Sequence, residues 1–241
     1  MIILPLLLRL LFSRALKSFT SVKCMKFMPS KCSMCVRICP MKRIIIEQGQ
    51  QIARKIENET DRHVGRFCQF ELRNLKRLHV YLYSPFMDHL MVTVTSTGNY
   101  GLIWIFISLC LMFQDSPRKS TGYSMLIALL FCITIGNLII KNVVRRNRPF
   151  FHKNYKLLIK QPWDYSFPSG HTLSSFAAAT VLFFMNKDVG ILAFIYAGLI
   201  ALSRLYLRVH FFTDVFFSMV LGTALGTLAV KAYETRFFGF I

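Results

Sequence analysis

Long uncharged stretches alternate with short clusters of charge over the later part of this chain, on the length scale of a bilayer rather than of a soluble core. From His89 to Gln114 no Asp, Glu, Lys or Arg occurs, and the most apolar portion, Gly101 to Phe113, predicts a span that begins near Thr97, after the turn-prone Ser96 to Asn99. The short DSPRKS loop ends it. A second charge-free run, Ser120 to Ile140, approaches the ~20 residues a helix needs to cross hydrocarbon and stops at Lys141. Asn142 to Pro168 is polar and aromatic, holds Arg145, Arg146, Arg148, Lys153, Lys156 and Lys160, and reads as a loop outside the lipid. A third span is expected from about His171 to Met185, a fourth from Val189 to Leu207 and a fifth from His210 to Val230. The expected architecture is all-α: a polytopic membrane bundle of five transmembrane helices over residues 98–236. Residues 78–97 would add an interfacial, re-entrant or sixth spanning helix, and 237–241 a tail.

Residues 1–77 have a different texture and predict an amphipathic, basic extension. Met1 to Phe12 is apolar but broken by Arg9, too short to span, and without the leading positive region of a signal peptide, so an interfacial segment is expected. Lys42 to Arg77 mixes charges of both signs and reads as a solvated or surface-lying helix with no chemistry assigned to it. Sixteen of the thirty Lys and Arg residues precede Leu78, which localises much of the formal charge of +19. With 54% hydrophobic residues and a mean hydropathy of +0.45, the chain is expected in a membrane, and the arm beside it to meet anionic headgroups, at about 1 kcal/mol per cation near the surface. No nucleic-acid motif accompanies the charge, so no nucleic-acid partner is expected.

Cysteine usage adds an open question rather than a site. Cys110 and Cys132 fall in apolar runs and read as small hydrophobes. Cys24, Cys32, Cys35, Cys39 and Cys68 are an odd set without a secretory signal, which predicts no disulfide framework. Cys32, Cys35 and Cys39-Pro40 are spaced like the last three ligands of a bacterial ferredoxin cluster, but Pro29 holds the place of the first. Reduced, unliganded thiols are the reading adopted, with Cys24 completing a cluster or the four binding zinc as alternatives. Translation starting at Met41 would delete the cluster altogether.

The fourth and fifth runs fall short of a crossing unless one includes Arg204 and the other Asp214, and ionisable groups at that depth mark a functional site by default. Short connections force successive spans to alternate across the bilayer. The end of span two, the start of three, the end of four and the start of five therefore share one side. Those points carry Lys141 with Arg148, Ser169 to His171, Arg204, and His210 with Asp214.

Three cations, two histidines, a carboxylate and a helix N-terminus on one face are equipment for a phosphoryl group, whose transferring oxygens need fixed positive charge. Lys141, Arg148 and Arg204 would supply that charge. The helix starting at Ser169 would aim backbone N–H groups, including that of Gly170, at the anion, and the Ser169 hydroxyl could join them. His210 and Asp214 are four apart, so on a helix the carboxylate could hold one ring nitrogen and leave the other to attack. His171 would protonate the departing oxygen and then activate water against the phosphohistidine. Near the expected pocket only Asp164 and Asp214 are carboxylates, too few for two metals, so no cofactor and metal-independent turnover are expected.

At Lys141 with Arg148-Pro149, at Pro168-Ser169-Gly170-His171, and at Ser203-Arg204 with His210 and Asp214, the chain resembles the type 2 phosphatidic acid phosphatase superfamily. The resemblance covers roughly Thr97 to Lys231 and implies a helical bundle, phosphohistidine chemistry and lipid-phosphate substrates. The same signature occurs in soluble vanadium-dependent haloperoxidases, a branch the expected spans oppose. TVTSTGNYGLIWI, SFPSGHT and SRLYLRVHFFTDV are most similar to bacterial undecaprenyl-diphosphate phosphatase-like proteins. That implies a polyprenyl diphosphate substrate and a bacterial cytoplasmic membrane with the pocket on its extracytoplasmic face. The alternatives are a phosphatidylglycerol phosphate or phosphatidic acid phosphatase, a lipid phosphotransferase whose phosphohistidine passes to an alcohol, and a lipid-binding protein without activity. With five spans and a cytoplasmic C-terminus the basic arm would start outside, against its preference, a conflict that a sixth element over 78–97 would remove.

Overall fold

The structure is a computed structural model that describes residues 65–116, 118–152 and 157–238. Cys24, Cys32, Cys35 and Cys39, the apolar opening segment and most of the basic extension lie outside the described residues. From Phe70 onward the chain forms one compact unit.

The described residues are helical, with no strand among them. Helix α1 covers 65–82 and continues through 77 and 78, where the sequence pattern placed the end of the extension. It is amphipathic: Glu71, Leu72 and Leu75 are buried, while Arg73, Lys76 and Arg77 are exposed. Helix α2 (Pro85–Thr97) begins where Ser84 caps it, its hydroxyl accepting from the Met87 N–H at 3.1 Å with Pro85 in the first turn. A 3-10 turn (Asn99–Gly101) leads into α3 (Leu102–Met112), with Tyr100 and Gly101 both left-handed. The chain bends at the turn expected ahead of the first span: α2, within the separate element expected over 78–97, and the stretch Asn99–Met112, where the first span is expected, meet at 43°, as a broken span or a re-entrant loop.

Helix α4 (Arg118–Phe131) runs through a π-helical segment (Cys132–Ile140) into α5 (Lys141–Val144), and α6 (Pro149–His152) follows. Next come α7 (Gly170–Met185), α8 (Lys187–Tyr206) and α9 (Phe212–Phe238). Among the described residues, three helical stretches are long and apolar enough to cross a bilayer: Arg118–His152, Lys187–Tyr206 and Phe212–Thr235. The bent pair would make a fourth. The expected third span is shorter than the hydrocarbon is thick: the 16 residues of α7 rise about 24 Å.

Helix α7 is apolar all round because it is the centre of the bundle, packed by α4, α8 and α9. Leu173 and Ala177 to Ala179 are fully buried. Close approach of α9 depends on Gly222 and Gly226, four apart on one face. A Cβ at Gly222 would stand 2.5 Å from the Leu173 carbonyl oxygen, and one at Gly226 2.6 Å from that of Ala177. Small residues at this spacing are a usual contact between membrane helices. Two hydrogen bonds tie the outer helices to the core, from Trp104 Nε1 to Ser175 Oγ at 3.0 Å and from Ser108 Oγ to the Gly122 carbonyl at 2.7 Å. Large apolar side chains such as Phe106, Leu130, Leu192 and Phe216 remain exposed on the outside, as lipid contact requires. Cys132 is buried and Cys110 exposed.

A smaller apolar cluster of Met91, Phe150, Tyr206, Leu207 and Val209 packs beneath the α8–α9 connection. Arg208 turns that connection in the left-handed conformation (φ 56°), with Val209 N–H reaching back to the Arg204 carbonyl at 3.2 Å.

Candidate active site

The segment before α6, the loop before α7 and the start of α9 meet around His210, which is 1% exposed. His210 precedes α9 rather than riding on it, so the helical i, i+4 geometry expected with Asp214 does not form. Its Nδ1 lies 2.7 Å from the Ser166 carbonyl oxygen and 3.7 Å from Asp214 Oδ2, beyond hydrogen-bonding distance. A carbonyl can only accept, so Nδ1 carries the proton. The opposite nitrogen, Nε2, is 3.1 Å from Arg148 Nη1, a group that can only donate. Both neighbours therefore assign the same tautomer, with the lone pair on Nε2. Burial, then Arg148, Arg204, Lys141 and His171, push the His210 pKa well below the ordinary histidine value. The ring is held neutral at physiological pH.

Asp214, fully buried, works one step away. Its Oδ2 accepts from Phe211 N–H at 2.9 Å, tying the start of α9, and from the Ser166 hydroxyl. Its Oδ1 accepts from Arg146 Nη1 at 2.6 Å. Arg146 also donates to Thr213 Oγ1 at 2.7 Å and to Glu71, and its guanidinium lies 3.9 Å over the Phe211 ring.

Arg148 is 2% exposed and, besides facing His210 Nε2, donates to three acceptors: the Val209 carbonyl at 2.8 Å, Asp164 Oδ1 at 2.5 Å, and the Asp164 carbonyl, reached by Nε at 2.8 Å. Lys141, also buried, pairs with the other Asp164 oxygen and lies 3.4 Å from Asn137 Oδ1. Partial burial pushes the Asp164 carboxyl up, but Arg148 and Lys141 outweigh it and hold it well below the usual carboxylate range. Arg204, 3% exposed, donates from Nη1 to Thr95 Oγ1 at 2.6 Å, and its buried Nε has no hydrogen-bond partner among the described residues.

At the head of α7 the geometry differs from expectation in one respect. The Ser169 N–H is taken by Ser218 Oγ at 2.8 Å, and the Ser169 hydroxyl pairs with that of Thr172 at 3.0 Å, so both are engaged within the protein. Gly170 follows beside Asn137, whose Oδ1 would stand 3.2 Å from an added Cβ. His171 is half-buried, its Nε2 is 3.1 Å from Asn99 Oδ1, and its ring edge sits against Gly98, where a Cβ would come within 3.0 Å. The bend between α2 and α3 is thus a wall of the same site.

The residues picked from sequence gather here, and the structure adds partners that sequence reasoning missed. Ser166, Thr95 and Asn99 are small polar residues with no local signal. Arg146 was visible only as one cation in a loop, and Glu71 lay in a segment read as solvated. Among the described residues, no three His, Cys, Asp or Glu side chains converge as a metal site would require.

Residues 121–238 match the PAP2 superfamily. An undecaprenyl-diphosphatase of Sulfolobus acidocaldarius is 34% identical over 151 residues, spanning 62% of this chain and 72% of that protein. This chain belongs to the PAP2 superfamily. It is also similar to undecaprenyl-diphosphatase BcrC of Bacillus subtilis, 28% identical over 59% of this chain and 72% of that one. Among solved structures, Aquifex aeolicus LpxE superposes with a TM-score of 0.59 at 26% identity, over 67% of this chain and 95% of that chain. The PAP2-type phosphatidylglycerolphosphate phosphatase of Bacillus subtilis superposes with a TM-score of 0.58 at 25% identity, over 70% and 87%. Together with its apolar helices, these relatives make the chain an integral membrane member of a lipid phosphatase family.

Proposed function

We propose that this PAP2 protein hydrolyses a lipid phosphate or diphosphate, a polyprenyl diphosphate in first place, through a covalent intermediate on His210. The observation that carries the proposal is the pair of contacts that sets the tautomer of His210: Nδ1 lies against the Ser166 carbonyl, which can only accept, and Nε2 against the Arg148 guanidinium, which can only donate, so the lone pair is on Nε2. An anion drawn to Arg148, Lys141 and Arg204 meets that lone pair. The unpartnered buried Nε of Arg204 is a further donor suited to a phosphoryl oxygen.

In the first step Nε2 attacks phosphorus as the bond to the leaving oxygen breaks, and His171 delivers a proton to that oxygen, releasing the lipid alcohol or lipid monophosphate. In the second, His171 takes a proton from water, the water oxygen bonds to phosphorus, and the P–N bond breaks to free phosphate and restore the imidazole. Asp214 supports the chemistry through Ser166 and the start of α9 rather than by touching the ring. Fixed cations neutralise the transferring oxygens, so the reaction is proposed to need no metal.

A polyprenyl diphosphate is favoured because two relatives are undecaprenyl-diphosphatases. The proposed membrane arrangement counts five embedded elements: the α2–α3 bent pair, α4 with its π-helical extension, α7, α8 and α9, with the site facing the extracytoplasmic side of a bacterial cytoplasmic membrane and the basic extension on anionic headgroups. The test is phosphate release by purified protein from undecaprenyl diphosphate, phosphatidylglycerol phosphate, phosphatidic acid and a sphingoid phosphate, with and without chelator, beside His210→Ala. Activity that survives chelator and is lost in His210→Ala is expected. Equal activity in the two proteins rejects the mechanism, and loss on chelation rejects its metal-free form.

A further inference from the structure

A buried carboxylate contributed by α1 reaches the foundations of the site from outside the region that matches the PAP2 superfamily, residues 121–238. The Glu71 side chain is 3% exposed, an unusual place for a carboxylate on a helix whose neighbouring charges, Arg73, Lys76 and Arg77, are all exposed. Its Oε1 accepts both from Thr213 N–H, at 3.0 Å, and from Thr213 Oγ1, at 2.8 Å, which ties down the first turn of α9 and sets negative charge at that helix N-terminus. Its Oε2 accepts from Arg146 Nη2.

We infer that Glu71 is a positioning residue for His210, acting through Arg146 and Thr213. The inference rests on the proposed role of His210. Arg146 is the hub: one guanidinium nitrogen holds Glu71 and the other holds Asp214 Oδ1 at 2.6 Å, while its carbonyl accepts the Ser166 N–H at 2.8 Å. Ser166 in turn gives its hydroxyl to Asp214 and its carbonyl to His210 Nδ1. The carbonyl that sets the tautomer of His210 therefore belongs to a residue held on two sides by the Arg146–Asp214 pair, and Glu71 holds the free side of Arg146.

Without Glu71 the Thr213 N–H loses its partner, and Arg146 keeps a single carboxylate and can follow it. Ser166 and the start of α9 then gain freedom, and the Nε2 lone pair is no longer kept on the line of attack. The anion-binding donors of Arg148, Lys141 and Arg204 make no contact with Glu71, so substrate affinity should change far less than turnover. A mere staple of α1 to the bundle would give the opposite pattern, a lower melting temperature with normal turnover per folded molecule.

The experiment uses full-length protein in detergent micelles or proteoliposomes, with Glu71→Gln, Glu71→Asp, Glu71→Ala, the exposed-face control Arg73→Ala, and His210→Ala. The reaction read is phosphate release from undecaprenyl diphosphate, or from whichever member of the panel above the wild type turns over best. In Glu71→Gln, whose amide oxygen still accepts from Thr213, kcat is expected to fall about tenfold, the scale seen when partners that orient a metal-ligating histidine are removed. KM should stay within about twofold and the melting temperature near wild type, which is the signature of an interaction used in the transition state. Glu71→Asp should recover part of the loss, and Arg73→Ala should keep wild-type kcat. A double mutant with Arg146→Lys should cost less than the product of the single effects, because both act on one chain of contacts.

Wild-type kcat in Glu71→Gln overturns the inference, as does a loss confined to KM or one that tracks the melting temperature across the series. An inert His210→Ala beside a fully active Glu71→Gln removes this inference alone. A fully active His210→Ala removes the underlying reading and the inference with it.

Discussion

Asp164 stands where the proposed mechanism needs an anionic substrate to go, and replacing it gives a measurement whose sign is informative. Its carboxylate pairs with Lys141 and Arg148, whose side chains are 9% and 2% exposed, while its own is 52% exposed. A phosphoryl group drawn to those cations has to displace or share that carboxylate. Because the carboxylate is half in water, each pair is priced near the surface scale of about 0.5 kcal/mol rather than as a buried bridge. The two together oppose anion binding by about 1 kcal/mol, which is about fivefold in affinity. Asp164→Asn removes the charge but leaves an amide oxygen for Arg148 and the backbone carbonyl that already accepts from Arg148 Nε at 2.8 Å. Arg148 should therefore stay aimed. The assay is competitive inhibition by inorganic phosphate of a fluorogenic lipid phosphate, in which product detection does not depend on released phosphate. The inhibition constant should fall about fivefold, with kcat within about twofold of wild type. The two cations hold the carboxylate ionised to unusually low pH, so the difference between the proteins should persist at pH 5. A rise in the inhibition constant would mean that the Asp164 charge orients Arg148 rather than competing for it, and an unchanged constant would mean that phosphate does not bind these cations.

Other outcomes follow from single contacts. Gly222→Ala puts a methyl 2.5 Å from the Leu173 carbonyl oxygen and should cost about 1–3 kcal/mol, read as a lower melting temperature in detergent. Gly198→Ala, on the same kind of helix but with nothing within 4 Å, should be neutral or stabilise by up to about 1 kcal/mol; equal destabilisation in both would contradict the packing account. The acid limb of kcat/KM, which reports the free enzyme, should lie below the ordinary histidine value of about 6.5, because a His210 with a lowered pKa stays neutral as pH falls through that region. The same shift makes the folded state bind fewer protons than the unfolded one below about pH 6.5, so stability should decline with acidification there; an acid limb at or above 6.5 would contradict it. Thr95→Val strips Arg204 Nη1 of its acceptor at 2.6 Å and should raise KM more than it lowers kcat, by about three- to tenfold, in steady-state assays.

Much of the bundle was legible along the chain because bilayer thickness and alternation act on local sequence. The later apolar runs correspond to α4 with its π-helical extension, α8 and α9, and alternation brings Lys141, the head of α7, Arg204 and His210 to one end. Local hydropathy does not see neighbours. Helix α7 has the composition of a span, yet its length reflects a helix sheathed by others. The turn-prone Ser96 to Asn99 was readable ahead of the first span, but not that the backbone there places Asn99 beside His171.

By itself the sequence determined which residue types stand at which helix ends, since hydrophobic length and charge placement are properties of short segments. The tertiary structure alone decided what each of them touches. The partner of His210 Nδ1 is a backbone carbonyl, a group every residue carries, so no side chain could announce it. Spacing offered Asp214 for that place instead, because it assumed the helix had already begun at His210. The support from Glu71 spans 142 positions to Thr213, a separation across which no periodicity speaks, and it arises because a buried carboxylate must find its donors wherever the packed chain presents them.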